Sequence, residues 1–134
     1  ASGAINLIST LIPRESAATF DMSIGSFGGK QIHVTAGSTS HKSSGSFSYL
    51  IEFLELHSDG FKTIENISGL GGYTDLSTGF SKSDGLIKLK YSTPADKFVP
   101  QSLELKIAGV SEVSNETYLG LTESDFQESP LLRY

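Results

Sequence analysis

Three histidines, His33, His41 and His57, are the residues best suited by type to hold a metal or move a proton. Either task needs them prearranged, and no HxH or HxxxH spacing links any two. His33 falls on an outward strand face, His41 in a polar loop and His57 beside a hairpin turn, so all three read as surface histidines. Serine is abundant, yet no Gly-x-Ser-x-Gly elbow occurs and no His/Asp pairing stands out, which argues against a serine hydrolase. Glycoside hydrolysis needs two carboxyl groups about 5–9.5 Å apart. Glu52 and Asp21 are the only acids within well-patterned strands on half-buried faces, and Glu52 reads as a solvated or lysine-paired glutamate more readily than as a perturbed acid. Asp59, Asp84 and Asp125 have turn or tail explanations. Gly25–Gly29 and Gly69–Gly72 are glycine-rich, but neither GxxxxGK[ST] nor GxGxxG before a helix appears, so a phosphate cradle is not indicated. No catalytic residue, metal site or cofactor is assigned, and the chain reads as a non-enzyme.

A binding surface is the remaining chemistry. Sugars are held by aromatic faces and planar polar groups, because a pyranose ring has an apolar side rimmed by hydroxyls. Tyr73 with Asp75, in a glycine-rich stretch, is the best local grouping for that task. Phe27 in GSFGG and Phe61 after a turn are weaker candidates, and core packing is the competing role for every aromatic. Two glycosylation tripeptides, Asn66-Ile67-Ser68 and Asn115-Glu116-Thr117, matter only in a eukaryotic secretory pathway.

Composition bounds the partners. A chain of 134 residues suits one domain, 1–134, large enough to bury a core without staples. It has no cysteine, hence neither disulfides nor thiolate metal sites. Ten basic against 15 acidic residues give a net charge of -5, unlike the basic surface that nucleic acid requires. No apolar run approaches the roughly 18–20 residues that cross a bilayer, and no signal peptide is present, so membrane insertion is not expected. The opening Ala1-Ser2-Gly3, without Met, suggests a processed product or a piece of a longer polypeptide.

The elements that must position any site are β-strands. Ser46–Leu56 (SFSYLIEFLEL) places Phe47, Tyr49, Ile51 and Phe53 at every second position, one apolar wall on a strand. Ser46, Ser48, Leu50 and Glu52 point the other way, a half-apolar face that suits a central strand. The pattern slips after Phe53, where a β-bulge is expected. Ala18–Ile24 and Lys30–Ala36 alternate likewise, with Phe20, Met22, Ile24, Ile32 and Val34 expected inward and GSFGG turning between them. Gly37–Gly45 reads as a long polar loop. His57–Gly60 and Ser83–Gly85 read as Asp-Gly turns, Phe61–Ile67 and Tyr73–Phe80 as weaker strands. In Leu86–Tyr91, Ile87, Leu89 and Tyr91 face in and Lys88 and Lys90 out. Ser102–Val110 does the same with Leu103, Leu105 and Ile107. Ala4–Ile12 fits a helical stripe or a strand, and its β-branched content tilts it to strand. Residues 111–134 fit an extended C-terminal tail that packs on a neighbour, the start of a next domain, or a disordered end. Seven or eight strands with Gly/Ser-rich turns predict an all-β antiparallel β-sandwich of jelly-roll type.

The order of these pieces (ATFDMSIGSFGGKQIHVTAGS, SFSYLIEFLELHSDG, SDGLIKLKYS, SLELKIAGV) resembles the C-terminal β-sandwich modules of bacteriophage tail fibres and tailspikes. The likeness runs from Ala18 to Val110 and rests on alternation and turn placement, so no functional residue is carried over. It implies a homotrimeric tip domain at a virion surface or outside the cell. Such a domain would contact a cell-surface glycan or protein receptor, or assist assembly. The alternatives are a monomeric carbohydrate-binding module of a secreted glycoside hydrolase and a purely structural virion component.

Overall fold

A computed structural model describes residues 8–64, 77–94, 96–115 and 120–133. Five long strands form one antiparallel sheet in the order β1-β2-β3-β5-β6: β1 Ala17–Ile24, β2 Lys30–Lys42, β3 Gly45–Ser58, β5 Phe80–Ser92 and β6 Ser102–Ser114. Two short strands, β4 Thr63–Ile64 and β7 Leu132–Arg133, pair in parallel as a second sheet. Among the described residues one helix, α1, spans Glu123–Glu128. The all-β class is as expected, and β3 is the central strand. The jelly-roll winding is not confirmed, because the large sheet is a meander whose order follows the chain with only β4 left out.

Local chemistry explains the hairpins. Between β1 and β2, Gly29 N donates to Ser26 O at 3.0 Å around Phe27 (φ 56°) and Gly28 (φ 66°), a two-residue turn with both central residues left-handed. A side chain on Gly28 would collide with the Asp59 carboxylate. The turn sets a register in which Thr19 Oγ1 meets Thr35 Oγ1 at 2.6 Å and Ser16 Oγ meets Ser38 Oγ at 2.8 Å. The long loop expected at Gly37–Gly45 is instead mostly strand: β2 continues to Lys42 and turns at Ser43–Ser44. Polar residues paired across a hairpin serve the backbone ladder as well as apolar ones do, as in Thr39 Oγ1 to Ser48 Oγ at 3.0 Å.

Other expectations change. Asp84-Gly85 is not a turn but the middle of β5, where Asp84 lies beside Lys82 Nζ at 3.6 Å. Asp59-Gly60 does end β3, with Gly60 at φ 74°, yet the chain does not return along β3. Thr63–Ile64 pairs with β7 instead, Thr63 also bridges Ser77, and Phe80 opens β5, while residues 65–67 and 73–76 lie outside the described residues. Exposure alternates through Phe53–Leu54 without the slip a bulge would cause. Residues 8–13 form no strand, against the reading of Ala4–Ile12. After Val110 the chain carries the end of β6, then α1 and β7. Thr122 caps α1, accepting from Asp125 N at 3.2 Å.

The chain divides into two compact units. The first comprises Ala1–Thr19, Thr35–Glu52 and Leu86–Ala108, the second Phe20–Val34, Phe53–Gly85 and Gly109–Tyr134. In the first, the face expected inward lies open. Phe47, Tyr49 and Ile51 of β3, Ile87, Leu89 and Tyr91 of β5, and Leu103, Leu105 and Ile107 of β6 range from 37% exposed at Leu89 to 75% at Leu103. The face expected outward is the covered one. Leu50, 2% exposed, is the only buried hydrophobic residue among those described, and Ser48 and Lys88 are buried beside the 8–13 segment. Gly37 admits this segment, since a Cβ there would sit 2.7 Å from Pro13 Cδ, and Thr39 Oγ1 donates to Pro13 O at 2.7 Å. In the second unit, Phe20, Met22, Ile24 and Phe53 are also exposed, while Phe27 and Phe61 pack with ring centroids 5.8 Å apart.

Because Leu50 is so isolated a piece of core, its truncation should be felt throughout the first unit. Leu50→Ala is expected to lower the urea midpoint by an amount worth about 2–5 kcal/mol, whereas Ser102→Ala on exposed β6 should leave it unchanged. Equal midpoints for the two variants would contradict the burial of Leu50.

Candidate functional site

The second unit brings together three side chains that the sequence reading left apart. His57 is the last but one residue of β3, Asp59 follows two residues later, and Ser81 is the second residue of β5. His57 Nε2 lies 3.0 Å from Asp59 Oδ1 and its Nδ1 lies 3.2 Å from Ser81 Oγ. The tautomer protonated on Nε2 donates to the carboxylate and leaves Nδ1 to accept the serine proton, which is the logic of an activated nucleophile. The sequence singles out no His/Asp pairing, although His57 and Asp59 stand two residues apart, and Ser81, 24 residues away, is delivered only by the sheet.

Two features weaken that chemistry. The His57 and Asp59 side chains are 38% and 62% exposed, so water screens their interaction. The hollow they border, with Ser77, Gly79 and Phe80, encloses about 180 Å³, below the roughly 300 Å³ at which small-molecule pockets begin. The same residues also tie elements together. Asp59 N donates to Phe27 O at 2.8 Å and Gly60 N to Ser58 Oγ at 3.1 Å, so this end of β3 is tied to the β1–β2 turn and, through His57, to β5.

The first unit holds a larger, polar cavity of about 330 Å³ between the 8–13 segment and the covered sheet face. Leu11 and Ile12 form one wall, and Ser46, Ser48, Lys88, Lys90, Ser92 and Glu104 contribute to the other. Lys88 is 5% exposed, and its Nζ donates to the carbonyl of Thr10. The strand alternation that turns Ile87 and Leu89 to the open face is what turns Lys88 and Lys90 into this cavity.

The remaining sequence candidates do not assemble. His33 and His41 both lie on β2, the latter exposed and within a strand rather than the expected loop. Asp21 is exposed on β1, and Glu52 is half-buried on β3. Tyr73, Asp75 and the first glycosylation tripeptide lie outside the described residues. Among the described residues, no group of three or more His, Asp or Glu side chains gathers to hold a metal ion, and no helix is long and apolar enough to cross a membrane. Comparison with family models, curated proteins and solved structures finds no match.

If the His57 cluster is a brace, p-nitrophenyl acetate should be hydrolysed no faster by the protein than by an equal concentration of free imidazole. Ser81→Ala should leave that rate unchanged. A serine-dependent rate would instead identify a hydrolytic centre.

Proposed function

We propose that this chain is a non-enzymatic assembly and attachment domain, which associates with copies of itself and presents its remaining surface to a cell-surface receptor. The tip modules of phage tail fibres, which the strand order resembles, are the specific setting proposed, with a homotrimer at a virion surface as the working form. The observation that carries this reading is the open apolar face of the first unit. Single soluble chains rarely leave contiguous apolar patches beyond a few hundred Å² in water. Here nine large side chains on three strands stand between about one third and three quarters exposed. At roughly 80–90 Å² each they offer on the order of 700–800 Å² per copy, close to the ~800 Å² per partner of a stable interface.

A second copy is the favoured occupant because the cover is needed as the chain folds. With Leu50 as the only buried hydrophobic residue described, the isolated chain gains little from burial, as in obligate oligomers whose single chains have no stable fold. Copies of the same chain are present wherever it is made. The tilt toward receptor contact over pure assembly comes from the polar cavity on the opposite face, which self-association through the apolar face does not require.

Light scattering after size exclusion should give about three times the chain mass of 14.3 kDa. Leu105→Glu, a charge in the middle of the open face, should shift the protein toward single or unfolded chains by well over tenfold in association constant. A wild-type protein that stays folded as single copies at high concentration would remove the assembly role. A stable pair would keep self-association and remove the trimer.

A further inference from the structure

The covered face of the first unit carries a charge in a place where charges are rarely left alone. Lys88 is 5% exposed, and its ammonium has three N–H donors. The carbonyl of Thr10 takes one, and no carboxylate lies within ion-pair distance of Nζ among the described residues. A buried ammonium held by one neutral acceptor is costly unless an anion completes its shell. The cavity beside it leaves room for one.

We propose that this cavity binds a small carboxylate-bearing sugar, of hexuronic acid size, with the carboxylate between Lys88 and Lys90. This deepens the attachment role proposed above and rests on it. Three observations select the ligand class. Lys88 and Lys90 against Glu104 give the lining a net charge of +1 within a chain of net charge -5, which matches a monoanion better than a phosphate dianion. Ser46 and Ser92 line the same space, and neither makes a side-chain hydrogen bond among the described residues, so their hydroxyls remain for ring hydroxyls. Leu11 and Ile12 close the opposite side with apolar surface, the complement of a pyranose C–H face. The volume of about 330 Å³ is enough for one such ring. Lys88 supplies orientation as well as charge, because its hydrogen bond to Thr10 fixes the ammonium at the cavity wall.

The test is calorimetric titration of the full chain at low salt with sodium glucuronate, with glucose, sodium acetate and inorganic phosphate as comparisons. Glucuronate should bind at least about tenfold more tightly than any of the three, the margin expected when charge and hydroxyls are recognised together. Lys88→Met, which removes a buried charge while keeping the stem, should weaken glucuronate by about tenfold or more, and Lys90→Gln by less. Equal binding of glucose, equal binding of acetate, tighter binding of phosphate, or no glucuronate binding into the millimolar range would each overturn the proposal. If Lys88→Met fails to fold, the selectivity of the wild-type protein decides alone. Mass measured on the same sample separates the two readings. Single copies that bind glucuronate remove the assembly role and keep the site, and assembled protein that ignores it removes only the site.

Discussion

Half of a phenylalanine ring left in water forgoes about half of the 1.5–3 kcal/mol that its burial would contribute. Across Phe47, Tyr49, Ile51 and their neighbours on β5 and β6, that deficit is repeated nine times within one unit. Ordering a residue costs about 1–2 kcal/mol in backbone entropy, and burial is the main term that offsets it. A sheet whose larger apolar face is uncovered therefore lacks its principal source of stability within one chain. Every other feature of the first unit is arranged around that condition. The chain's own 8–13 segment covers the polar face, and the apolar face is left open.

The alternation of side chains made the strands legible and made their faces legible too. Phe47, Tyr49, Ile51, Ile87, Leu89, Leu103 and Leu105 share a face, as their spacing implies. What spacing cannot reveal is which face a chain covers by itself. Hydrophobicity marks the surface that gains from burial, while the identity of the cover depends on what else is present. Lys88 illustrates the inversion: the residue expected in solvent is buried, and Leu89 beside it is open. Asp84-Gly85 misled for a related reason. Asp-Gly favours a turn only when its flanks change direction, and here Lys82, Asp84, Leu86 and Lys88 keep one alternation through it. Nothing crowds Gly85, so the glycine is tolerated there rather than required.

The sites were less legible than the strands. The His57, Asp59 and Ser81 cluster and the Lys88 cavity are both products of strand neighbours far apart in the chain. The former joins the end of β3 to the start of β5, and the latter gathers residues of β3, β5 and β6 under a segment that precedes them all. Only α1 carried an unread local signal: Thr122 stands three residues before Asp125, the spacing of a capping box, ahead of a single helical turn and a half. Phe27 shows the opposite case, a bulky residue at φ 56° that no propensity would place there. Its ring on Phe61 and its carbonyl, bonded to Asp59 N, hold it in that conformation.

The outermost strand adds a hazard of a different kind. β6 lies at the margin of the large sheet, all 13 of its residues are exposed, and it contains no proline to interrupt a visiting backbone. Among the described residues no further strand pairs with its outer side, and such an edge invites strand-to-strand addition, which repeats without closing and so grows into filaments. Glu104, Lys106 and Glu112 place charges along that margin and oppose such growth, mostly where the strand would otherwise be uniformly greasy. Neutralising those three positions would remove that opposition, and at Glu112 it would also take away the 3.9 Å pairing with Lys82 on the neighbouring strand.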